Sequence, residues 1–395
     1  MVNEKELFEL LADVVKIESP FFREEEAILF VNEWFKKNGF EPTLHEYEDN
    51  VITNFKGKNV IGELDGQNLG PTILFNGHID TVELTQFWTK EPYGATVEGN
   101  KMYGVGTLDM KSGVAAFMMA LKTFKENHPT FNGKIKYQVV SDEEGPYGLG
   151  TNALVEDGLC DADVAIIPEP SSGFLGVEEP AVCLGARGGL SFKVEVKGLS
   201  AHAATPEKGV NAIVEASKII IELEKLDIIV DDKLGKGSVA IIKIESVDAP
   251  ASIADFASFS VFRHIVRGED QTTVEAEIMQ AAKNAGVPTE NVNVVFRDSP
   301  SEGSAAFLPY VCDEKDPFIS KFIDSVTKVN EAKPLLDYFP SMGDFNYIGS
   351  RVKIPTIVFG PRGANYHSDD EYVLLDSVKE CSDIIYDYLE EVLVK

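Results

Sequence analysis

The chain has 395 residues, with 36 Lys and Arg against 65 Asp and Glu, for a formal net charge of −29. Its 44% hydrophobic and 26% charged residues are those of a globular protein rather than an acidic disordered tail. Such acidity excludes nucleic-acid backbones and anionic membrane surfaces as partners, since both require a basic face.

The length calls for two domains, or one large domain with an insertion. The opening residues, Met1-Val2-Asn3-Glu4-Lys5-Glu6, show no basic stretch followed by an apolar core, so no secretory leader is expected. No apolar run approaches the roughly 20 residues needed to span a bilayer. Cys160, Cys183, Cys312 and Cys381 stand far apart, giving neither a CxxC site nor a disulfide framework. The expected compartment is a reducing cytoplasm.

In chain order, Leu7, Leu10, Leu11, Val14 and Val15 recur at helical spacing and predict a helix over 4–17. Ala27, Ile28, Val31, Trp34 and Phe35 predict another over 24–37, with Gly39 placed to end it. Short apolar runs at 72–75, 135–140, 164–167 and 356–359 read as buried strands. Residues 112–127 read as a helix with Ser112 as its N-cap. Alternating strands and helices argue for an α/β sheet covered on both faces.

The middle has a different rhythm. Phe192, Val194 and Val196 alternate with Lys193, Glu195 and Lys197, as in a half-exposed antiparallel strand. A helix over 210–226, strands over 239–244 and 256–262, a helix over 273–285 and a strand over 292–296 follow. This strand–helix–strand–strand–helix–strand order is ferredoxin-like α+β. Residues 185–299 therefore read as a domain inserted into one formed by 1–184 and 300–395.

Each buried strand runs into residues able to bind metal. The first leads to His78 and Asp80, the second to Asp142, Glu143 and Glu144, the third to Glu169, and the fourth through a loop to His367. Asp109 joins them, after the Gly-rich Gly104-Val105-Gly106-Thr107-Leu108. In open α/β sheets, sites form beyond the carboxyl ends of the strands. A mixture of imidazole and carboxylate suits Zn²⁺, Co²⁺ or Mn²⁺ better than Ca²⁺ or Mg²⁺. Asp109, Glu144 and Glu169 in one cavity would repel one another without a cation. Two divalent ions and a bridging hydroxide balance them better than one ion does.

With these motifs in place the chain resembles the di-zinc amidohydrolase and peptidase family that includes acetylornithine deacetylase, succinyl-diaminopimelate desuccinylase, aminoacylase and glutamate carboxypeptidase. The motifs that carry the resemblance are Gly77-His78-Ile79-Asp80-Thr81-Val82, Gly104-Val105-Gly106-Thr107-Leu108-Asp109-Met110-Lys111, Ser141-Asp142-Glu143-Glu144-Gly145, Pro168-Glu169-Pro170 and His367-Ser368-Asp369-Asp370-Glu371. The resemblance implies a mixed-sheet catalytic domain with an inserted lid and dimerisation domain. It implies two Zn²⁺ per subunit, with Co²⁺ or Mn²⁺ as substitutes. Asp109 would bridge them, His78 and Glu169 would complete one shell, and Glu144 and His367 the other. Asp80 would orient the His78 imidazole, and Glu143 would be the general base.

In the inserted domain, Gly198-Leu199-Ser200-Ala201-His202-Ala203-Ala204-Thr205-Pro206 resembles the family's histidine loop, which implies that His202 donates to the oxyanion, either in cis or across a dimer interface. Arg263 stands where the family often meets a substrate carboxylate, a task suited to a planar bidentate donor. Two positions depart from the family pattern: the acidic neighbour is missing in Val261-Phe262-Arg263, and Met342-Gly343-Asp344 lacks the Ser or Thr before its Asp.

The expected activity is hydrolysis of the amide bond of an N-acyl amino acid. A dipeptidase or carboxypeptidase is the nearest alternative, and a catalytically silent ligand-binding homologue a more distant one. A dinuclear phosphoesterase is disfavoured, since no Walker-type phosphate loop is present.

Overall fold

Alternate residues of the central strands point into different apolar clusters. Ile73 and Phe75 enter one cluster and Leu74 the other; Val164 and Ile166 enter the first, Ala165 and Ile167 the second; Ile357 and Val358 divide likewise. A strand turns its side chains to opposite faces, so a run that is apolar throughout must be covered on both. The computed structural model in which this is seen describes every residue of the chain except Ala249.

The chain divides into two units, Met1–Ala186 with Tyr310–Lys395, and Arg187–Pro309. In the first unit the main sheet runs in the order Thr43–Glu48, Lys56–Asp65, Asn132–Val140, Asn68–His78, Val164–Ile167, Thr356–Val358, Ala181–Ala186, Tyr310–Val311, with Leu335–Phe339 pairing beside Ala181–Ala186. Asn132–Val140, Asn68–His78, Val164–Ile167 and Thr356–Val358 are mutually parallel, whereas Thr43–Glu48, Lys56–Asp65 and Tyr310–Val311 pair antiparallel to their neighbours. The sheet is therefore mixed, and its four parallel strands all end on one edge.

Helices Glu4–Val15, Glu25–Lys37, Ser112–Asn127, Pro317–Asn330 and Leu375–Leu393 bury their apolar stripes in the larger cluster. Each fully buried Leu or Ile contributes about 1.5–3 kcal/mol. Asn3 caps the first helix through Lys5 N–H and Glu6 N–H. Helix Glu25–Lys37 ends before Gly39, which takes the left-handed φ of +75°.

Ser112 does not cap its helix. Its φ and ψ of −68° and −37° are helical rather than extended, because the chain enters from a wide turn over Thr107–Lys111, and the buried Ser112 hydroxyl has no hydrogen-bond partner among the described residues. A side-chain cap needs extended geometry at that position.

A smaller sheet of Thr96–Glu98, Lys101–Tyr103, Tyr372–Leu374 and Gly363–Ala364 ties the segment after residue 360 to the segment around residue 100.

The second unit is a four-stranded antiparallel sheet in the order Ser238–Ser246, Phe256–Ile265, Gly188–Lys197, Val292–Phe296. Helices Ala212–Leu223 and Gln271–Asn284 share its core with Leu190, Phe192, Val194 and Val196. The topology is ferredoxin-like. The unit extends to Pro309 rather than 299, because Gly189 and Phe307 exchange backbone hydrogen bonds of 2.8 and 3.2 Å and carry the pairing past Pro300. No helix among the described residues is long and apolar enough to cross a membrane.

Candidate metal centre

Because the four central strands run parallel, the residues after them meet at one edge. His78 is the last residue of Asn68–His78 and is buried. Its Nδ1 lies 3.0 Å from the Asp80 carbonyl oxygen. With Nδ1–H donating there, the Nε2 lone pair faces outward, 3.2 Å from Asp109 Oδ1 and 3.3 Å from Glu169 Oε1. A lone pair set against two carboxylate oxygens requires a proton or a cation between them. Burial opposes charge on the ring, but Glu169 and Asp109 outweigh it and hold the His78 pKa well above its ordinary value.

Asp109 turns its two oxygens to different histidines. Oδ1 faces His78, and Oδ2 lies 3.4 Å from His367 Nε2. Burial would raise its carboxyl, yet His367 and His78 hold it well below the usual carboxylate range. His367 Nε2 also lies 2.8 Å from Glu144 Oε1. The His367 ring is 44% exposed, and its φ of +56° is the left-handed conformation that a non-Gly residue seldom adopts, a common mark of functional loops. Burial works against its charge, but Asp109 and Glu144 push its pKa up to about 11. Burial and the Asp109 charge raise the Glu144 and Glu169 carboxyls.

The residues fit a pair of cations. The donor set is imidazole and carboxylate, Glu169 Oε2 is buried with no hydrogen-bond partner among the described residues, and ligand atoms of His78, Asp109 and Glu144 lie within 4.8 Å of one another. His78 with Glu169 forms one lobe, Glu144 with His367 the other, and Asp109 stands between.

Glu143 lies beside this centre, with Oε2 3.9 Å from His78 Nε2 and Oε1 accepting from Asp344 N–H at 3.2 Å. Burial raises its carboxyl well above the ordinary range. The turn that aims Glu143 and Glu144 apart starts at Asp142, which has a φ of +58°.

Asp80 holds that turn. Its Oδ1 accepts from Glu143 N–H at 3.1 Å and its Oδ2 from Glu144 N–H at 2.9 Å. The Asp80 carbonyl accepts the hydrogen bond from the His78 ring, while the Asp80 carboxylate stands 3.6 Å from Nδ1. Asp80 thus faces the ring with both its carbonyl and its carboxylate, and the carboxylate also accepts from two amides.

The remaining expected residues lie in the second unit. His202 is exposed, and its Nδ1 accepts from Ala204 N–H at 3.1 Å, which leaves Nε2 as the donor in the neutral ring. Arg263 is not available to a substrate. It is 1% exposed, with Nη2 2.6 Å from Glu269 and 3.0 Å from Glu277, Nε 3.2 Å from Glu277, and Nη1 donating to the His264 carbonyl. Its planar fork is engaged by the buried Glu269, the partly buried Glu277 and a backbone carbonyl, all of its own unit.

Sequence reading assigned no role to Asp344 or Glu371. Glu371 follows His367 by four residues, yet nothing in that spacing reveals that its carboxylate meets residues 106–109.

Fold and centre together define a dinuclear metal-dependent hydrolase of amide or peptide bonds. The chain belongs to Peptidase family M20/M25/M40, whose sequence profile matches residues 74–391. It is 26% identical over 402 residues to a succinyl-diaminopimelate desuccinylase of Orientia tsutsugamushi, covering 98% of this chain and 97% of that one. Its fold matches a tripeptidase from Staphylococcus aureus with a TM-score of 0.79 at 18% identity, covering 99% of both chains. It also matches a dinuclear metal binding peptidase of the same family from Bacillus subtilis with a TM-score of 0.66 at 14% identity, covering 98% and 97%.

Proposed function

We propose that this protein hydrolyses the amide bond of an N-acyl amino acid, as the desuccinylase relatives' name describes for them. The observation that carries the reading is the division of Asp109: each of its oxygens faces a separate histidine, and each histidine has its own further carboxylate. His78, Asp109 and Glu169 would hold one ion and Asp109, Glu144 and His367 the other, with Zn²⁺ as the expected metal and Co²⁺ or Mn²⁺ as substitutes. Bound there, the ions supply Lewis acidity, lowering the pKa of water and polarising the scissile carbonyl.

The chain's own residues supply the proton traffic. Asp344 N–H fixes Glu143 Oε1, so Oε2 is the oxygen turned to the centre. Glu143 Oε2 takes a proton from the attacking water and delivers it to the nitrogen of the leaving amine. His202 donates from Nε2 to the oxygen of the tetrahedral carbon. Arg263, engaged within its own unit, leaves this scheme without the expected carboxylate anchor. That favours a short peptide, whose carboxylate need not adjoin the scissile bond, as the second reading.

A homodimer formed through the inserted unit suits its sheet edge. Among the described residues, strand Ser238–Ser246 pairs on one side only and exposes Ile242 and Ile244. The expected compartment is the cytoplasm.

The test is a screen of N-succinyl, N-acetyl and short peptide substrates on protein loaded with Zn²⁺, Co²⁺ or Mn²⁺, scored by amine release. Turnover by wild type that falls about 10²–10⁴-fold in Glu143→Gln, with metal uptake unchanged, is the expected result. Failure of metal-loaded wild type to cleave any amide would overturn the proposal.

A further inference from the structure

One buried carboxylate has no part in the reaction above, yet it grips the backbone of a proposed ligand. Glu371 is 2% exposed. Its Oε2 accepts from Gly106 N–H at 2.9 Å, and its Oε1 accepts from Leu108 N–H at 2.7 Å and Asp109 N–H at 3.1 Å. Its backbone carbonyl accepts from Gly104 N–H at 3.1 Å. Four amides of the loop that carries Asp109 therefore converge on one residue, and three of them on one carboxylate.

The neighbouring strands make this possible. Tyr372 pairs with Tyr103, so the chain entering the loop and the chain leaving Glu371 lie side by side in register. Gly106 curls the loop tightly at a φ of +71°, and a Cβ there would lie 2.4 Å from Thr81 Cγ2. On the other side of Asp109, the buried Lys111 ammonium donates to the carbonyls of Val14 at 3.2 Å and Ile17 at 2.9 Å. The loop is held from both sides with Asp109 between the two grips. Glu371 also shares its loop with His367, the residue that faces Asp109 Oδ2.

The geometry points to Glu371 as a positioning residue: through the amides of Gly106, Leu108 and Asp109 it sets the direction of the Asp109 carboxylate and its spacing from His367. This rests on the reading of Asp109 as the bridge between two ions. Glu371 touches no reacting atom; it acts through the backbone.

The experiment compares wild type, Glu371→Gln, Glu371→Ala and Asp109→Asn, each stripped of metal and titrated with Co²⁺. Affinity is read by chelator competition, geometry by the visible Co²⁺ absorption bands, and stability by thermal unfolding of the metal-free form. Gln keeps an oxygen for Leu108 and Asp109 but turns an NH₂ toward Gly106 N–H. Metal affinity is expected to fall about 10–100-fold in Glu371→Ala, with a shifted Co²⁺ spectrum, and to recover partly in Glu371→Gln. Turnover is expected to fall through kcat with KM little changed. If the alanine variant does not fold, the glutamine variant decides. Wild-type affinity and spectrum in the folded variants would overturn the inference, as would a loss confined to metal-free stability. Failure of the bridging assignment has a separate signature: Asp109→Asn would then keep wild-type uptake of both ions.

Discussion

Replacing Asp80 by Asn exchanges one carboxylate oxygen for an NH₂ in a site with no solvent access. Wild-type Asp80 satisfies Glu143 N–H at 3.1 Å and Glu144 N–H at 2.9 Å. Asn has one oxygen, so one of those amides must face a second donor. The lost charge-assisted hydrogen bond is worth about 1.5–3 kcal/mol, which corresponds to roughly a 10- to 150-fold fall in kcat/KM or metal affinity. A second effect opposes this in the metal-free protein. Burial, followed by the Asp80 charge, raises the Glu24 carboxyl to about 8 and the Asp142 carboxyl to about 9. Those two carboxyls are neutral below about pH 8, so neutralising Asp80 relieves repulsion only above that pH, where stability without metal should fall by less than the hydrogen-bond loss alone. The assay pairs kcat/KM and chelator competition with denaturant unfolding of the metal-free form. Unchanged kcat/KM and metal affinity would refute the clamp, and so would a functional loss matched in full by the loss of metal-free stability.

Arg263→Met leaves the buried Glu269 carboxylate without its charged partner, with Val266 N–H still donating to it, and removing one member of a buried pair costs about 3–5 kcal/mol. The expected outcome is a lowered thermal midpoint; a variant of normal stability with a raised KM would restore Arg263 as a substrate anchor. His264 titrates at about 4 because of its burial, followed by the charges of Arg187 and Arg263. The folded ring is therefore neutral between about pH 4 and 6.5, where the unfolded chain binds the proton. Stability falls as pH drops through that window, by at most about 2 kcal/mol once screening of this partly exposed ring is allowed for. His264→Asn should flatten the dependence of unfolding free energy on pH between 6.5 and 4.5; an unaltered slope would exclude His264 as its source.

Much of the architecture was legible in the sequence. The helices at the N-terminus announce themselves by the spacing of Leu7, Leu10, Leu11 and Val14, and of Ala27, Ile28 and Val31, because a helix must bury one stripe. The alternation of Phe192, Val194 and Val196 with charged residues marks a one-sided strand for the same kind of reason. The gathering of His78, Glu144, Glu169 and His367 was legible because parallel strands must end together, whereas Asp109 enters from a loop after Lys101–Tyr103 of the smaller sheet and was marked by its motif. Ser112 misled, since whether a serine caps depends on the backbone entering the helix, and a wide turn enters here.

Residue types determined that imidazoles and carboxylates would accumulate where strands stop, since pattern and chemistry are both local properties of the chain. Only the tertiary structure decided which oxygen of Asp109 meets which histidine, that Asp80 holds a turn as well as facing a ring, that Arg263 is consumed by its own unit, and that Glu371 grips a loop more than 260 positions away. Apart from the Arg263 cluster, whose partners stand within 14 positions, and the Asp80 contact with the nearby His78 ring, each is a contact between segments remote in the chain, and its direction depends on three-dimensional angles that no local spacing encodes.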